Sequence, residues 1–379
     1  MLFRSRRTGL LLDPYFSATK IVHLLEMVPG LRRRCEAGEI LFGTVDTFLI
    51  WRLTGGRVHA TDPTNASRTL LFDIDRLAWS DDLCRLFDLP KAILPEVRPS
   101  SGGFGETDPG LLGAAIPIAG CAGDQQSSGF AQGCTAAGDA KNTYGTGAFL
   151  LFSTGSRRVA SGSGLLTTVG CPADAATPNY MLEGSVFVAG AIVGWLRDGL
   201  GIIDEARDVE PLARSVADTG GVVLVPALTG LGSPHWDPFA RGLVIGLSRA
   251  TTRAHIARAA LESIALSVAD VVEAMQRDAG LPLERLRVDG GACANDLLMQ
   301  MQADVLGLPV DRPAVIETTA LGAALLAGMA VGFFATAAAV DEARRVERVF
   351  EPTMSEAVRR RTLDRWRDAV ERSKRWAVP

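Results

Sequence analysis

Apolar and polar positions change period repeatedly along the chain, and the changes lay out an alternation of helices and strands. From Thr252 to Ala279, Ile256, Ala260, Ile264, Val268, Val271 and Met275 recur at helical spacing. Thr251 and Thr252 offer caps and Gly280 a stop, so this stretch predicts a long amphipathic helix. Residues 13–28 predict another, with Pro14 and Ser17 at its start and Ile21, Leu24, Leu25 and Val28 on one face. Shorter helices are predicted over Leu83 to Leu89 and within VFVAGAIVGWLRDGLG, which follows the break Glu183-Gly184-Ser185. Ser355 to Trp376 reads as a charged amphipathic helix. Nearly unbroken apolar runs at Phe149–Phe152, Gly164–Val169, Tyr180–Leu182, Val222–Val225 and Leu286–Val288 predict buried strands. Residues 40–53 read as a buried strand-to-helix passage capped at Asp46-Thr47. Residues 61–72 form a polar loop and then a short strand, and 95–110 a connection. The order implies an α/β fold with a central mixed sheet in each domain. No internal repeat is visible.

Thr318 to Val340 carries no charge and by length could span a bilayer. It is rich in Ala, is interrupted by Gly322, Gly328 and Gly332, and lacks basic flanks or an aromatic belt. A buried helix packed against a sheet is the expectation.

Composition narrows the classes of function. With 379 residues, two domains are expected. Net charge is −4 with both signs interspersed, which gives no basic footprint for nucleic acid or an anionic membrane. The six cysteines form no CxxC pair and there are only four histidines, so neither a structural zinc site nor a disulfide framework is expected. The basic-then-apolar start is too short for a signal peptide, and a cytoplasmic location is the expectation.

Chemistry concentrates between Ile118 and Phe149. A short apolar run stops on Gly120 and Gly123, and Asp124 then stands beside Gln125 and Gln126. A second run ends in the turn Tyr144-Gly145-Thr146-Gly147, whose glycines let backbone N–H groups approach phosphate oxygens. A carboxylate next to a phosphate-type loop suggests proton abstraction beside phosphoryl transfer. Each word alone is also what a turn aspartate and a hairpin glycine look like. Further on, Asp289-Gly290-Gly291 ends a strand and Ala292-Cys293-Ala294-Asn295 opens a helix, a geometry that offers helix N–H groups to a nucleotide.

Together the motifs resemble the glycerol kinase family, a branch of the FGGY carbohydrate kinases. The matching words are PYFSATK, GEILFGTVDTFLIWRLTGGRVHATDPTNASRTLLF, AGDQQ, AKNTYGTG, LEGSVFVAG, LVPALTGLGSPHWDP, VDGGACAND and TALGAALLAG. The second FGGY signature runs from Gly242 to Glu262. The resemblance implies an actin-like, ribonuclease H-like ATPase fold of two domains, divided at 1–132 (polyol side) and 133–379 (nucleotide side). It implies ATP and Mg²⁺ as cofactors, glycerol as substrate, sn-glycerol 3-phosphate as product, and a dimer or tetramer. Asp124 is similar to the family's general base. Tyr15, Gln125 and Phe149 are similar to residues that hold the polyol. Gly145 and Thr146 match the phosphate loop, and Gly190, Gly194, Gly291 and Asn295 match positions around ribose and adenine. No metal ligand is assigned. Another FGGY kinase acting on a pentulose or erythritol, a non-catalytic nucleotide-binding module, and an actin- or chaperone-like ATPase are the alternatives.

Three departures accompany the resemblance. The family's Asp-Gly-Thr-Thr phosphate loop and Arg-Glu pair, which precede PYFSATK, have no counterpart before Tyr15, and the likeness begins about at Thr8. The expectation is a first domain lacking its N-terminal segment, through truncation rather than decay. Gly194 stands where the family often has Gln. The loop PGLLGAA has no basic residue, whereas members regulated by fructose 1,6-bisphosphate carry an Arg- and Gly-rich loop there.

Overall fold

A computed structural model describes residues 2–172, 177–334, 337–342 and 344–378. Thirteen strands occur among them. In the N-terminal part these are β1 (Ala60–Thr61), β2 (Phe72–Asp73), β3 (Ala78–Trp79) and β4 (Glu96–Val97). Then come β5 (Ala140–Tyr144), β6 (Ala148–Gly155), β7 (Leu166–Gly170), β8 (Asn179–Val186), β9 (Val223–Val225) and β10 (Leu243–Ile245). The last are β11 (Leu286–Asp289), β12 (Val310–Pro313) and β13 (Val346–Phe350).

Seven of these form one mixed sheet in the order β13-β12-β11-β5-β6-β8-β7. β5, β11 and β12 run parallel, and the antiparallel hairpin β5–β6 continues into β8 and β7. The expected α/β alternation is therefore present here. A comparable sheet in the N-terminal part is not found among the described residues. There β1 pairs with β4 and β2 with β3, two residues each, and small apolar clusters around Leu71, Phe72 and Phe104 hold the segment. The short apolar run that stops on Gly120 makes only isolated bridges, at Pro117 and Gly120.

One face of the sheet carries helix Arg253–Ala279, with helices Gly190–Asp198 and Asp296–Leu306 beside it. Thr252 and His255 close a capping box at the start of the long helix, and Gly280 ends it in the left-handed region at φ 65°. The pattern assigned one apolar face to this helix, but burial extends round it because Ala257, Ala260, Ala265 and Ala274 let neighbours approach on other sides. Each fully buried large residue such as Ile264 contributes about 1.5–3 kcal/mol. The opposite face carries helix Asp124–Ala131, and helix Thr318–Ala330 lies on that helix rather than on the sheet. Ser127 Oγ donates to the Thr319 carbonyl at 2.7 Å. The uncharged run thus falls in two helices, Thr318–Ala330 and Ala337–Glu342, with 335–336 outside the described residues, and only Thr318, Gly322, Leu325 and Leu326 of the first are buried. No helix among the described residues is long and apolar enough to cross a membrane.

Two other readings change. Residues 40–44 form no strand, and the helix Val45–Leu53 begins after Thr44. Leu41, Val45, Phe48 and Leu49 are exposed rather than buried, as are Leu24 on helix Ser17–Met27 and Val28 just after it. Local period identified apolar positions, but the element that would cover each is not a local property.

Candidate active site

The hairpin β5–β6 positions the site because its alternate residues face two different layers. Antiparallel pairing sets Lys141 opposite Leu151 and Thr143 opposite Phe149; across β6, Leu151 faces Glu183 and Phe149 faces Ser185. Directly opposed residues point to the same face. Lys141, Thr143, Phe149 and Glu183 therefore share the face on which helix Asp124–Ala131 lies. The Asp124 side chain is exposed at the first turn of that helix, where a carboxylate is favoured by the helix dipole, and its Oδ1 accepts from the Gln125 amide at 2.8 Å. The run before it is not a strand, so Asp124 opens a helix rather than ending one. Gln125 Oε1 accepts from Lys141 Nζ, which also donates to Thr143 Oγ1 at 2.6 Å. Phe149 keeps more than a third of its surface exposed beside them.

Lys141 is fully buried. Burial pushes its pKa down, and the carboxylates of Asp289, Asp124 and Glu183 oppose that shift. Asp289 is itself buried: Ser128 and Gln132 from the end of one helix and Thr318 from another all donate to its Oδ2. It directly precedes Gly290, so this network ties the helix that begins at Asp124 to the second glycine turn.

The other face of β5 looks onto a cavity of about 670 Å³. Gly145, Thr146, Gly190, Gly194, Gly291 and Asn295 all line it, which brings together, from three separated segments, the six positions expected around a nucleotide. The tip residue Thr146 is exposed. The amides of Ala189 and Ala191 donate to the Thr146 carbonyl and that of Gly190 to the Gly145 carbonyl, at 2.9–3.0 Å. The first N–H groups of helix Gly190–Asp198 thus hold the turn and are not offered to a ligand. A Cβ on Gly190 would stand 2.6 Å from the Gly145 carbonyl oxygen, so only glycine fits there. A Cβ on Gly194 meets nothing within 4 Å. Asn295 caps helix Asp296–Leu306 by accepting from the Leu298 amide at 2.9 Å, and Glu210 accepts from Leu297 at 3.1 Å.

Tyr15 lies in the N-terminal part and is 68% exposed. Its ring meets Phe16 edge to face at 5.4 Å, and the Arg68 guanidinium stacks over Phe16 at 5.4 Å. Arg68 then forms a bidentate pair with Glu183 at 2.7 and 2.9 Å. Lys141 and the Arg68–Glu183 pair were not singled out in the sequence. A lysine inside the otherwise uncharged strand AKNTY is the one local signal that was available.

A second cluster is a folding device. Donor atoms of Asp46, Asp62 and Cys121 lie within 4.8 Å of one another. Buried Asp62 already accepts from Thr64, Asn65 and Ser100, Asp46 accepts from Thr44 and Thr61, and burial pushes the Cys121 thiol far up. A saturated carboxylate beside a protonated thiol is a poor cation site.

The FGGY family of carbohydrate kinases matches this chain in both parts, its N-terminal domain over residues 3–131 and its C-terminal domain over 140–331. A glycerol kinase of Bordetella parapertussis is 58% identical over 376 residues, covering 98% of this chain and 74% of that protein. One of Thermus brockianus is 59% identical over 375 residues, covering 99% and 75%. Among solved structures, Plasmodium falciparum glycerol kinase with ADP is similar at TM-score 0.92 and 37% identity, covering 98% of this chain and 74% of that one. A xylulose kinase of Rhodospirillum rubrum shares the fold at TM-score 0.81 and 24% identity. The expected loss of an N-terminal segment is not borne out by these matches, which include both domains and begin at residue 3 rather than Thr8. The architecture is the two-domain actin-like ATPase fold. The chain belongs to the FGGY family of carbohydrate kinases.

Proposed function

We propose that the chain transfers the γ-phosphoryl group of ATP to glycerol, giving ADP and sn-glycerol 3-phosphate. The observation that carries this reading is the hairpin turn 145–147. A metabolite-sized cavity lies on one side of it, and an exposed carboxylate, an amide and an aromatic ring lie on the other. Relatives named glycerol kinase at 58% identity support glycerol over other polyols.

In this reading Asp124 accepts the proton of the terminal hydroxyl as its oxygen attacks phosphorus, worth about 10²–10⁴ in rate. Gln125 hydrogen-bonds the hydroxyls, Phe149 packs on the carbon backbone, and Tyr15 contributes a hydroxyl from the N-terminal part. Gly145 and Thr146 receive nucleotide phosphates, while Gly190, Gly194, Gly291 and Asn295 bound the ribose and adenine. Phosphoryl transfer needs alignment and charge neutralisation more than covalent help. Mg²⁺ bound with the nucleotide supplies that neutralisation. The exposed carboxylate of Asp124 fits an ion that keeps most of its waters and takes one or two carboxylates. We further assign residues 1–132 to the polyol side and 133–379 to the nucleotide side, and place the enzyme in the cytoplasm as a homo-oligomer.

The test is coupled ADP release by the 379-residue chain with MgATP, with and without glycerol, erythritol or xylulose. Turnover that depends on glycerol and exceeds that with the other two is expected. ADP release indifferent to every polyol, or faster with xylulose, overturns the assignment.

A further inference from the structure

The Gln125 carboxamide is held by a partner that has no choice of role. An ammonium group has three donors and no acceptor, so the atom of Gln125 that meets Lys141 Nζ must be Oε1. Lys141 is itself fixed from below: it is fully buried on β5, and Thr143 Oγ1 accepts its second N–H at 2.6 Å. Burial pushes the Lys141 pKa down, and the carboxylates of Asp289, Asp124 and Glu183 oppose that shift. With Oε1 turned inward, the Nε2 protons of Gln125 are left facing away from the lysine. Its neighbour Asp124 presents only acceptor oxygens, one of which takes the Gln125 backbone N–H. The helix start therefore offers one acceptor and one donor side by side.

We infer that Lys141 is a positioning residue that locks Gln125 as a hydrogen-bond donor, so that Asp124 and Gln125 together read a hydroxyl group. This rests on the kinase reading above and adds the basis of its substrate class. A hydroxyl donates to Asp124 and accepts from Gln125 at once. An ammonium group on the substrate can satisfy only Asp124, and a carbonyl only Gln125, so polyols are selected over amino alcohols and aldehydes. In the absence of Lys141 the carboxamide is free to turn its oxygen outward, where it would repel the lone pairs of the hydroxyl it should hold.

The test is a double-mutant cycle on glycerol with Lys141→Met, Gln125→Ala and the pair, with ADP affinity and melting temperature as folding controls. Each single variant is expected to raise KM for glycerol about tenfold, the order expected for one lost hydrogen bond, while ADP affinity stays unchanged. The double variant should be no worse than Gln125→Ala, because Lys141 acts only through Gln125. Additive effects overturn the inference. Gln125→Glu, a variant whose fold does not depend on removing a buried lysine, gives an independent reading. It keeps an acceptor for Lys141 and loses the donor, so it should be at least as impaired as Gln125→Ala; glycerol handling equal to wild type overturns the inference. If wild type shows no glycerol-dependent turnover, the kinase reading fails, and the same cycle is read from glycerol binding by calorimetry with ADP present. Glycerol binding that Gln125→Glu leaves intact, or no glycerol binding at all, then overturns the inference as well.

Discussion

Two neighbouring glycines at the end of β11 separate a folding role from a binding role. Gly290 has φ 83° and ψ 166°, a region open essentially to glycine alone. A Cβ there would also meet the Tyr144 carbonyl oxygen at 2.5 Å and its carbon at 3.0 Å, both backbone atoms of the strand next door. Gly290→Ala combines backbone strain of about 1–3 kcal/mol with crowding of about 1–3 kcal/mol. The sum, about 2–6 kcal/mol, is a large part of the 5–15 kcal/mol typical of a folded domain. A fall in Tm of roughly 5–15 °C is expected. Gly291 is different: a Cβ there meets nothing within 4 Å and enters the 670 Å³ cavity. Gly291→Ala should melt within about 1 °C of wild type, the small effect of a substitution without a steric or packing cause. It should lose part of the stabilisation that ADP provides, which for an intact site is about 2.7 kcal/mol at a hundred times Kd. Calorimetric melts of both variants with and without ADP provide the assay. If Gly290→Ala melts with wild type, or Gly291→Ala is as unstable as Gly290→Ala, the steric reasoning is wrong.

Further outcomes follow from other residues. Asp124→Asn should lower kcat for glycerol phosphorylation by about 10²–10⁴ with ADP affinity unchanged; an unaltered kcat removes Asp124 from the reaction. All six cysteines are free and buried, with burial pushing Cys134 up to about 11 and Cys293 to about 12. A thiol reagent should therefore label none of them rapidly at neutral pH and all six in denaturant. Burial alone would raise the Asp296 carboxyl, but donation from Arg312 and the charges of Arg312 and Arg348 hold it below its usual value. A lowered folded pKa means that its stabilisation is full above the ordinary value of about 4 and is lost as pH falls through the lowered one. Asp296→Asn should thus separate from wild type in melting temperature at pH 7 and converge with it near pH 2. The exposed turn Pro109–Leu112 and the residues after it carry no basic group, so fructose 1,6-bisphosphate at submillimolar concentration should not inhibit glycerol phosphorylation.

What was legible in the sequence was set by local chemistry. The cap at Thr252 and the stop at Gly280 mark the longest helix, and its structure begins at Arg253 and ends at Ala279. Gly145, Thr146, Gly291 and Asn295 belong to turns and helix starts, whose residue types announce themselves, whereas Gly194 lies inside helix Gly190–Asp198 and was singled out by the family resemblance. Pairings across long separations were not legible. Arg68 meets Glu183 across 115 residues, and Ser128 meets Asp289 across 161. No period or turn residue encodes such partners. The exposed Val45, Phe48 and Leu49 illustrate the same limit from the apolar side, because amphipathic spacing identifies a face without identifying its neighbour.

Lys141 shows how the two kinds of information combine. In a list of residues it looks like an edge lysine on a short strand, which is the usual solvated role of that residue. β5, however, lies between β11 and β6, so Lys141 is interior and its charge must be met from within the fold. The residues that meet it come from the helix start at Asp124, from β8 and from the end of β11. Alternation along the same strand sends Tyr144 to the opposite layer, where its hydroxyl donates to Gln302 at 2.6 Å beneath the 670 Å³ cavity. One five-residue strand thus fixes the Gln125 carboxamide on one face and part of the cavity floor on the other. The turn that follows it is the shortest connection between them, and a substitution that slipped β5 by one residue would exchange the two layers and abolish both sites together.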